Sequence, residues 1–290
     1  MPRAPSNGIE IEYESFGREA DPVILLIMGL GAQLTRWPVA FAERLAGKGF
    51  RVIRFDNRDV GLSTKLDAAG APDFPAIMQK TGKPAYTLTD MAADAVGLLD
   101  ALSVSKAHII GASMGGMIAQ LVAVNYPERV LSLTSIMSTT GNPALPRSTP
   151  EAGAVLMQRP PEGADLDALV EHGMKAARVV GSPGFPFDEA DQRARLRADI
   201  ERSTYPVGFA RQMAAVMADG DRRERLKTIT APTVVLHGAD DPLVPVQGGE
   251  DTAASIPGAE LRIIPGMGHD LPPGVHDATI EAILAAVARV

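Results

Sequence analysis

Cysteine is absent from this 290-residue chain. That excludes disulfides, cysteine-ligated metal sites and a thiol nucleophile, and it fits a cytoplasmic location. Dense Lys/Arg runs are missing too, and the formal net charge is −7. Nucleic acid and anionic membrane surfaces are therefore not expected as partners. Long hydrophobic runs are also lacking. The longest, Val23 to Leu30, falls well short of the roughly 20 residues that span a bilayer. The opening Met1-Pro2-Arg3-Ala4-Pro5-Ser6-Asn7 has no apolar stretch of the secretory kind. No internal repeat or low-complexity tract appears. What is present is 46% hydrophobic residues, enough for a sizeable core and too many for a disordered chain. The length suits one large domain, or one domain carrying an insertion.

Gly8 to Glu14 alternates apolar and polar, which predicts a half-exposed antiparallel edge strand. Val23 to Met28 is a continuous apolar run, as expected of a parallel strand covered on both faces. Further strands are expected at Phe50 to Phe55, Ala107 to Ile110, Val130 to Ile136, Pro232 to His237 and Leu261 to Ile264. Helical patterns lie between them, including one from a Thr89 cap through Leu102 and one from Asp277 to the end. This alternation predicts a mostly parallel sheet with helices on both faces. Residues 141–228 break the rhythm with Pro-rich loops and helical segments. They are expected to form a helical lid that sets specificity, inserted between core segments 1–140 and 229–290.

Chemistry concentrates at Gly111-Ala112-Ser113-Met114-Gly115, a Gly-x-Ser-x-Gly pentapeptide between an apolar strand and a helical pattern. Such a turn holds a serine in a strained, exposed conformation beside the free N–H groups of a helix start. A serine hydroxyl is a weak nucleophile and needs a base, which in turn needs an orienting acid. Two loops after later strands carry these residue types: His237-Gly238-Ala239-Asp240-Asp241-Pro242 and Pro265-Gly266-Met267-Gly268-His269-Asp270. His269 is the candidate base. Asp240 and Asp241 are both candidate acids, and Pro242 favours Asp241 by pushing it into an extended conformation. Asp240 is then left to brace the turn.

These stretches, with Met28-Gly29-Leu30-Gly31, Asp56-x-Arg58-x-x-Gly61-x-Ser63 and Ile229-x-x-Pro232, resemble the α/β-hydrolase family over nearly the whole chain. Within it the chain is most similar to aclacinomycin methylesterase-type esterases, which share the Arg-Asp-x-Gly-x-Ser variant and a Gly-Met-Gly-His-x-Leu-Pro loop. The resemblance implies a serine carboxylesterase that cleaves an ester of a small-to-medium apolar molecule through Ser113, Asp241 and His269, with no cofactor. It also implies oxyanion-hole donors at the backbone N–H groups of Leu30 and Met114. One departure is Met28-Gly29 where relatives carry His-Gly; the donor is a backbone amide, so the hole does not depend on that side chain. The same apparatus also serves lactonases, carbon–carbon bond hydrolases and cofactor-free perhydrolases, and the fold can host a non-turnover ligand sensor.

The remaining candidates are weaker. Trp37 is either a pocket wall or a core residue. Met213 and Met217, with Met157, Met174, Phe185, Phe187 and Phe209, could line an apolar pocket, although most are expected simply to bury the lid helices. His108 is expected to be a core histidine and His237 a structural hydrogen-bonder. His172 and His276 are expected at the surface. Asp56, Arg58 and Asp59 read as a cluster that braces a loop. No third ligand joins His237 and its neighbouring aspartates, so no metal site is expected.

Overall fold

Apolar runs of the kind that must be covered on both faces form the middle of one sheet in the computed structural model, which describes residues 2–161 and 163–290. Its strands are β1 (Arg3–Ser6), β2 (Ile9–Phe16), β3 (Val23–Ile27), β4 (Arg51–Phe55), β5 (Ala107–Ala112), β6 (Val130–Ile136), β7 (Thr233–Gly238) and β8 (Glu260–Ile264). The order across the sheet is β1-β2-β4-β3-β5-β6-β7-β8. The β1–β2 and β2–β4 pairs are antiparallel, and the remaining pairs are parallel. In β3 the faces alternate: Val23, Leu25 and Ile27 join one core layer, Ile24 and Leu26 the other.

The helices, in chain order, are α1 (Val39–Ala46), α2 (Phe74–Met78), α3 (Leu88–Ala101), α4 (Met114–Asn125), α5 (Pro150–Met157), α6 (Leu166–Val180), α7 (Glu189–Arg202), α8 (Pro206–Asp219), α9 (Arg223–Leu226), α10 (Gln247–Ser255) and α11 (His276–Val287). α3 and α4 cover the face of Leu25, and α1 and α11 cover the face of Leu26. Among the described residues, helices α5 to α9 lie between β6 and β7. α6 and α7 share a small core of Val170, Met174 and Leu196. Among the described residues no helix is long and apolar enough to cross a membrane.

Two local expectations are corrected. β2 is not an edge strand, because β1 pairs along its outer side. Asn7 (φ 47) and Gly8 (φ 79) make the two-residue turn between them, and an Asn-Gly pair is suited to such a turn because both central residues need positive φ. The cap of α3 is Thr87 rather than Thr89. Thr87 accepts from the Asp90 N–H while Asp90 accepts from the Thr87 N–H, a reciprocal capping box.

His108 lies inside β5, its Nδ1 2.8 Å from Ser132 Oγ and its ring edge-on to Phe50. Burial pushes its imidazole down from 6.5 to about 4. The unfolded chain therefore takes up a proton below about pH 6.5 that the folded chain refuses until about pH 4. Folding stability should fall as pH drops through that window, by on the order of 3 kcal/mol for a shift of this size. A pH series of urea midpoints for His108→Gln should be flatter than wild type between those two values. Equal slopes would show that His108 titrates normally.

Candidate active site

Ser113 sits between the end of β5 and the start of α4 at φ 57, ψ −122. A non-glycine residue held at such angles stores on the order of 1–3 kcal/mol. Close backbone packing imposes it. A Cβ on Gly111 would lie 2.0 Å from the Gly115 carbonyl oxygen, and one on Gly115 would lie 2.2 Å from the Ile27 oxygen. Strand and helix can pass this closely only with no side chain at either position. The Ser113 N–H donates to the Ile136 carbonyl at 2.9 Å, and Ser138 Oγ donates to the Ser113 carbonyl at 2.8 Å.

The loops after β7 and β8 bring their residues to this serine, at the carboxyl ends of parallel strands where such folds place ligands. His269 Nε2 is 2.9 Å from Ser113 Oγ, and His269 Nδ1 is 2.7 Å from Asp241 Oδ2. Asp241 Oδ1 accepts from the N–H groups of Leu243 at 2.9 Å and Val244 at 2.8 Å. Burial alone would raise the Asp241 carboxyl, but His269, His237 and the Val244 amide together hold it down to about 2. An ionised Asp241 requires Nδ1 to carry the proton, which leaves Nε2 as the acceptor facing the serine hydroxyl. Asp240 points elsewhere: its Oδ2 accepts from the Gly266 N–H at 2.7 Å and so braces the histidine loop. His237 is fully buried, with Nε2 2.8 Å from the Val244 carbonyl.

The histidine loop is also gripped from the segment after α6. The His269 N–H donates to the Val180 carbonyl at 2.7 Å, and the Gly268 N–H to Ser182 Oγ at 2.9 Å. Ser182 in turn donates to the Asp270 carboxylate. A Cβ on Gly184 would meet Gly266 Cα at 2.5 Å, so the two segments cross backbone on backbone.

The turn after β3 packs Gly29 against the nucleophile; a Cβ there would be 3.5 Å from Ser113 Oγ. The Ala32 N–H closes the turn on the Gly29 carbonyl at 3.2 Å, and Asn57 Nδ2 donates to the Met28 carbonyl at 2.9 Å. The Gly31 N–H is taken by Gln212 Oε1 at 2.8 Å. Among the described residues, the N–H groups of Leu30 and Met114 have no acceptor in the chain. Asp56 accepts from the Leu34 N–H at 2.7 Å and the Leu62 N–H at 2.8 Å. Arg58 forks onto Asp94, and Asp59 accepts from Arg211 at 2.7 and 2.9 Å. All of these charges are buried and brace loops.

Trp37 as a pocket wall is corrected. It has no exposed surface and stacks on Phe41 at 5.5 Å in the α1 layer, so it belongs to the core. On α8, Met213 is buried and Met217 is 40% exposed. Met174 lies in the α6–α7 core, whereas Met157 and Phe187 are exposed, so burial of the helices does not account for all of these side chains. His276 is not at the surface: it is buried at the start of α11, edge-on to Phe41. His172 is half-buried on α6. Among the described residues, no group of three or more His, Asp or Glu is arranged to hold a metal ion. Gln212 and Ser182 carry no local sequence signal. Their partners are 181 and 86 positions away, and neither stands in a recognisable motif.

Known proteins share this arrangement of elements. Over 293 aligned positions the chain is 33% identical to the rhodomycin D methylesterase DauP of Streptomyces sp. (strain C5), covering 94% of this chain and 93% of that protein. It is 31% identical to the rhodomycin D methylesterase DnrP of Streptomyces peucetius, with the same coverage. In structure it is similar to the meta-cleavage product hydrolase CumD of Pseudomonas fluorescens IP01, with a TM-score of 0.76 at 21% identity over 100% of this chain and 98% of that one. The family described as alpha/beta hydrolase fold matches residues 22–272, and with an eight-stranded, mostly parallel sheet behind that match the chain belongs to the α/β-hydrolase family.

Proposed function

We propose that this protein is a serine carboxylic ester hydrolase that releases a small alcohol from the ester of a small-to-medium apolar molecule. The observation that carries the reading is the unbroken relay from Asp241 Oδ2 through His269 to Ser113 Oγ, at 2.7 and 2.9 Å, beside two backbone N–H groups without acceptors among the described residues. Likeness to two rhodomycin D methylesterases supports a methyl ester as the bond cleaved. Partners are then small-molecule esters, with neither nucleic acid nor membrane involved, in a cytoplasmic setting; the net charge of −7 without basic runs supports this.

In this reading Ser113 Oγ attacks the ester carbonyl carbon while His269 Nε2 takes its proton. Asp241 holds the proton on Nδ1 and stabilises the imidazolium that forms. The amides of Leu30 and Met114 receive the developing oxyanion, which is usually the largest single contribution to rate. The tetrahedral intermediate collapses, the ester carbon–oxygen bond breaks, and His269 Nε2 delivers its proton to the leaving alcohol. Water, deprotonated by the same nitrogen, then attacks the acyl-enzyme; the acyl–Oγ bond breaks, the acid leaves, and His269 Nε2 returns its proton to Ser113 Oγ. Every proton moves through one nitrogen, so no other group is required. Met213 and Met217 of α8 serve as part of the apolar wall for the acid moiety.

A fluorophosphonate probe should label Ser113 alone, and Ser113→Ala should abolish both labelling and methyl-ester turnover. Ser113→Gly should be as inactive yet at least as stable as Ser113→Ala. Relief of about 1–3 kcal/mol of backbone strain outweighs the roughly 0.5–1 kcal/mol of added unfolded-state entropy. Labelling at another serine would overturn the nucleophile.

The two aspartates separate by the same assay. In a serine protease the Asp→Asn change costs about 10⁴ in kcat because the histidine adopts the wrong tautomer. Asp241→Asn should lose several orders of magnitude in kcat on one methyl ester. Asp240→Asn should lose far less, since its amide oxygen still accepts from Gly266. A greater loss at Asp240 reverses the assignment.

A further inference from the structure

The turn after β3 has one peptide whose direction its own hydrogen bond does not determine. Ala32 closes the turn onto Gly29, and Gly31, third in the turn, holds φ 66 while Leu30 does not have positive φ. That is the pattern of a type II turn, which differs from type I by a flip of its central peptide, here Leu30–Gly31. In this structure the central peptide is held by a residue of α8: its N–H donates to Gln212 Oε1 at 2.8 Å. Gln212 is itself immobile. It is fully buried, and its Nε2 donates to the Arg58 carbonyl at 2.7 Å, so both ends of the amide are engaged. α8 is anchored in turn by Arg211 on Asp59 and by the Phe209 ring against Gly31, where a Cβ would meet Phe209 Cδ2 at 2.5 Å.

We propose that Gln212 is a positioning residue for the oxyanion hole: from α8 it fixes the central peptide of the Gly29–Ala32 turn and so holds in place the loop that carries the neighbouring Leu30 N–H beside Ser113. This rests on the reading of Leu30 as an oxyanion donor. The chemistry demands an amide at this position. One partner is a fixed donor, Gly31 N–H, and the other a fixed acceptor, Arg58 C=O. Glutamate would face the Arg58 carbonyl with like polarity, methionine would satisfy neither partner, and asparagine is one methylene short. Flipping the central peptide would turn the Leu30 carbonyl toward Gln212 Oε1, so the side chain both holds one turn form and repels the other. Catalytic donors must be held to within about 0.5 Å, and a misplacement of about 1 Å costs around 100-fold in rate. The helical insertion then bears on the chemical step as well as on substrate choice.

The test compares wild type, Gln212→Met and Gln212→Glu in the full chain, with the thermal midpoint recorded for each. Each is titrated with two analogues of one acyl group. A trifluoromethyl ketone forms a tetrahedral oxyanion adduct with Ser113, and the corresponding secondary alcohol forms none. Gln212→Met should lower kcat on the methyl ester by about 10- to 100-fold with KM little changed. Its affinity for the ketone should fall by the same factor as kcat/KM, while affinity for the alcohol stays within about twofold. Gln212→Glu, which can still accept from Gly31, should lose less than Gln212→Met. A residue that merely supports the fold would weaken both analogues alike. Such parallel weakening, or an unchanged ketone affinity in whichever variant folds, overturns the proposal. Wild type that forms no ketone adduct at Ser113 removes the underlying reading, and the proposal with it.

Discussion

No Cβ fits at Gly111 or Gly115, because β3, β5 and α4 pass there with backbone against backbone. That close pass bends the chain through Ser113 at positive φ and lifts its hydroxyl above the sheet. It also packs Gly29, at the end of β3, directly against the serine. Two of the four segments that build the site are thus placed by one contact between main chains. The elbow is strained, and it persists because the surrounding sheet and helix over-determine it.

The other two, the Asp241 and His269 loops, are placed differently. Parallel strands deliver the loops after β7 and β8 to the same edge, but polar bonds make them rigid. Asp241 is tied by two backbone amides, Asp240 holds Gly266, and Val180 and Ser182 accept from the consecutive N–H groups of His269 and Gly268. Asp241 must stay ionised while almost wholly buried. Burial opposes the charge, and the facing histidines and amides overcome that opposition. The carboxylate is therefore available to steer the imidazole across the whole range in which a histidine can act as base.

Helices α6 to α8 and the segments between them are stitched to both the histidine loop and the turn after β3. The segment after α6 crosses the histidine loop at Gly184 and Gly266, and α8 reaches the Gly29–Ala32 turn through Gln212. Thr35 on Asp199 at 2.6 Å and Gln33 on the Ser203 carbonyl at 3.0 Å add α7 to the same seam. Several of these partners are buried, where an unpaired polar group costs about 1–3 kcal/mol. A substitution in these helices is consequently felt in the loops beside Ser113 even when it touches no substrate.

By itself the sequence determined what local pattern can carry. Apolar runs marked the buried strands, Gly-x-Ser-x-Gly between a strand and a helix marked the sharp turn, and the proline after Asp241 distinguished it from Asp240. The Asn7-Gly8 turn and the Thr87–Asp90 capping box were equally local; they lay in short polar stretches where periodicity is weak, so β2 read as an edge and the helix start read two residues late. Only the tertiary structure decided which side chains meet across long separations. It sent Trp37 into the core beside Phe41, put Gln212 on Gly31 and set Ser182 under Gly268. Hydrophobic periodicity records which face of an element is buried. A single polar contact between distant elements leaves no periodic trace, because one glutamine or serine on a helix or loop satisfies the same pattern whether it faces water or a backbone amide.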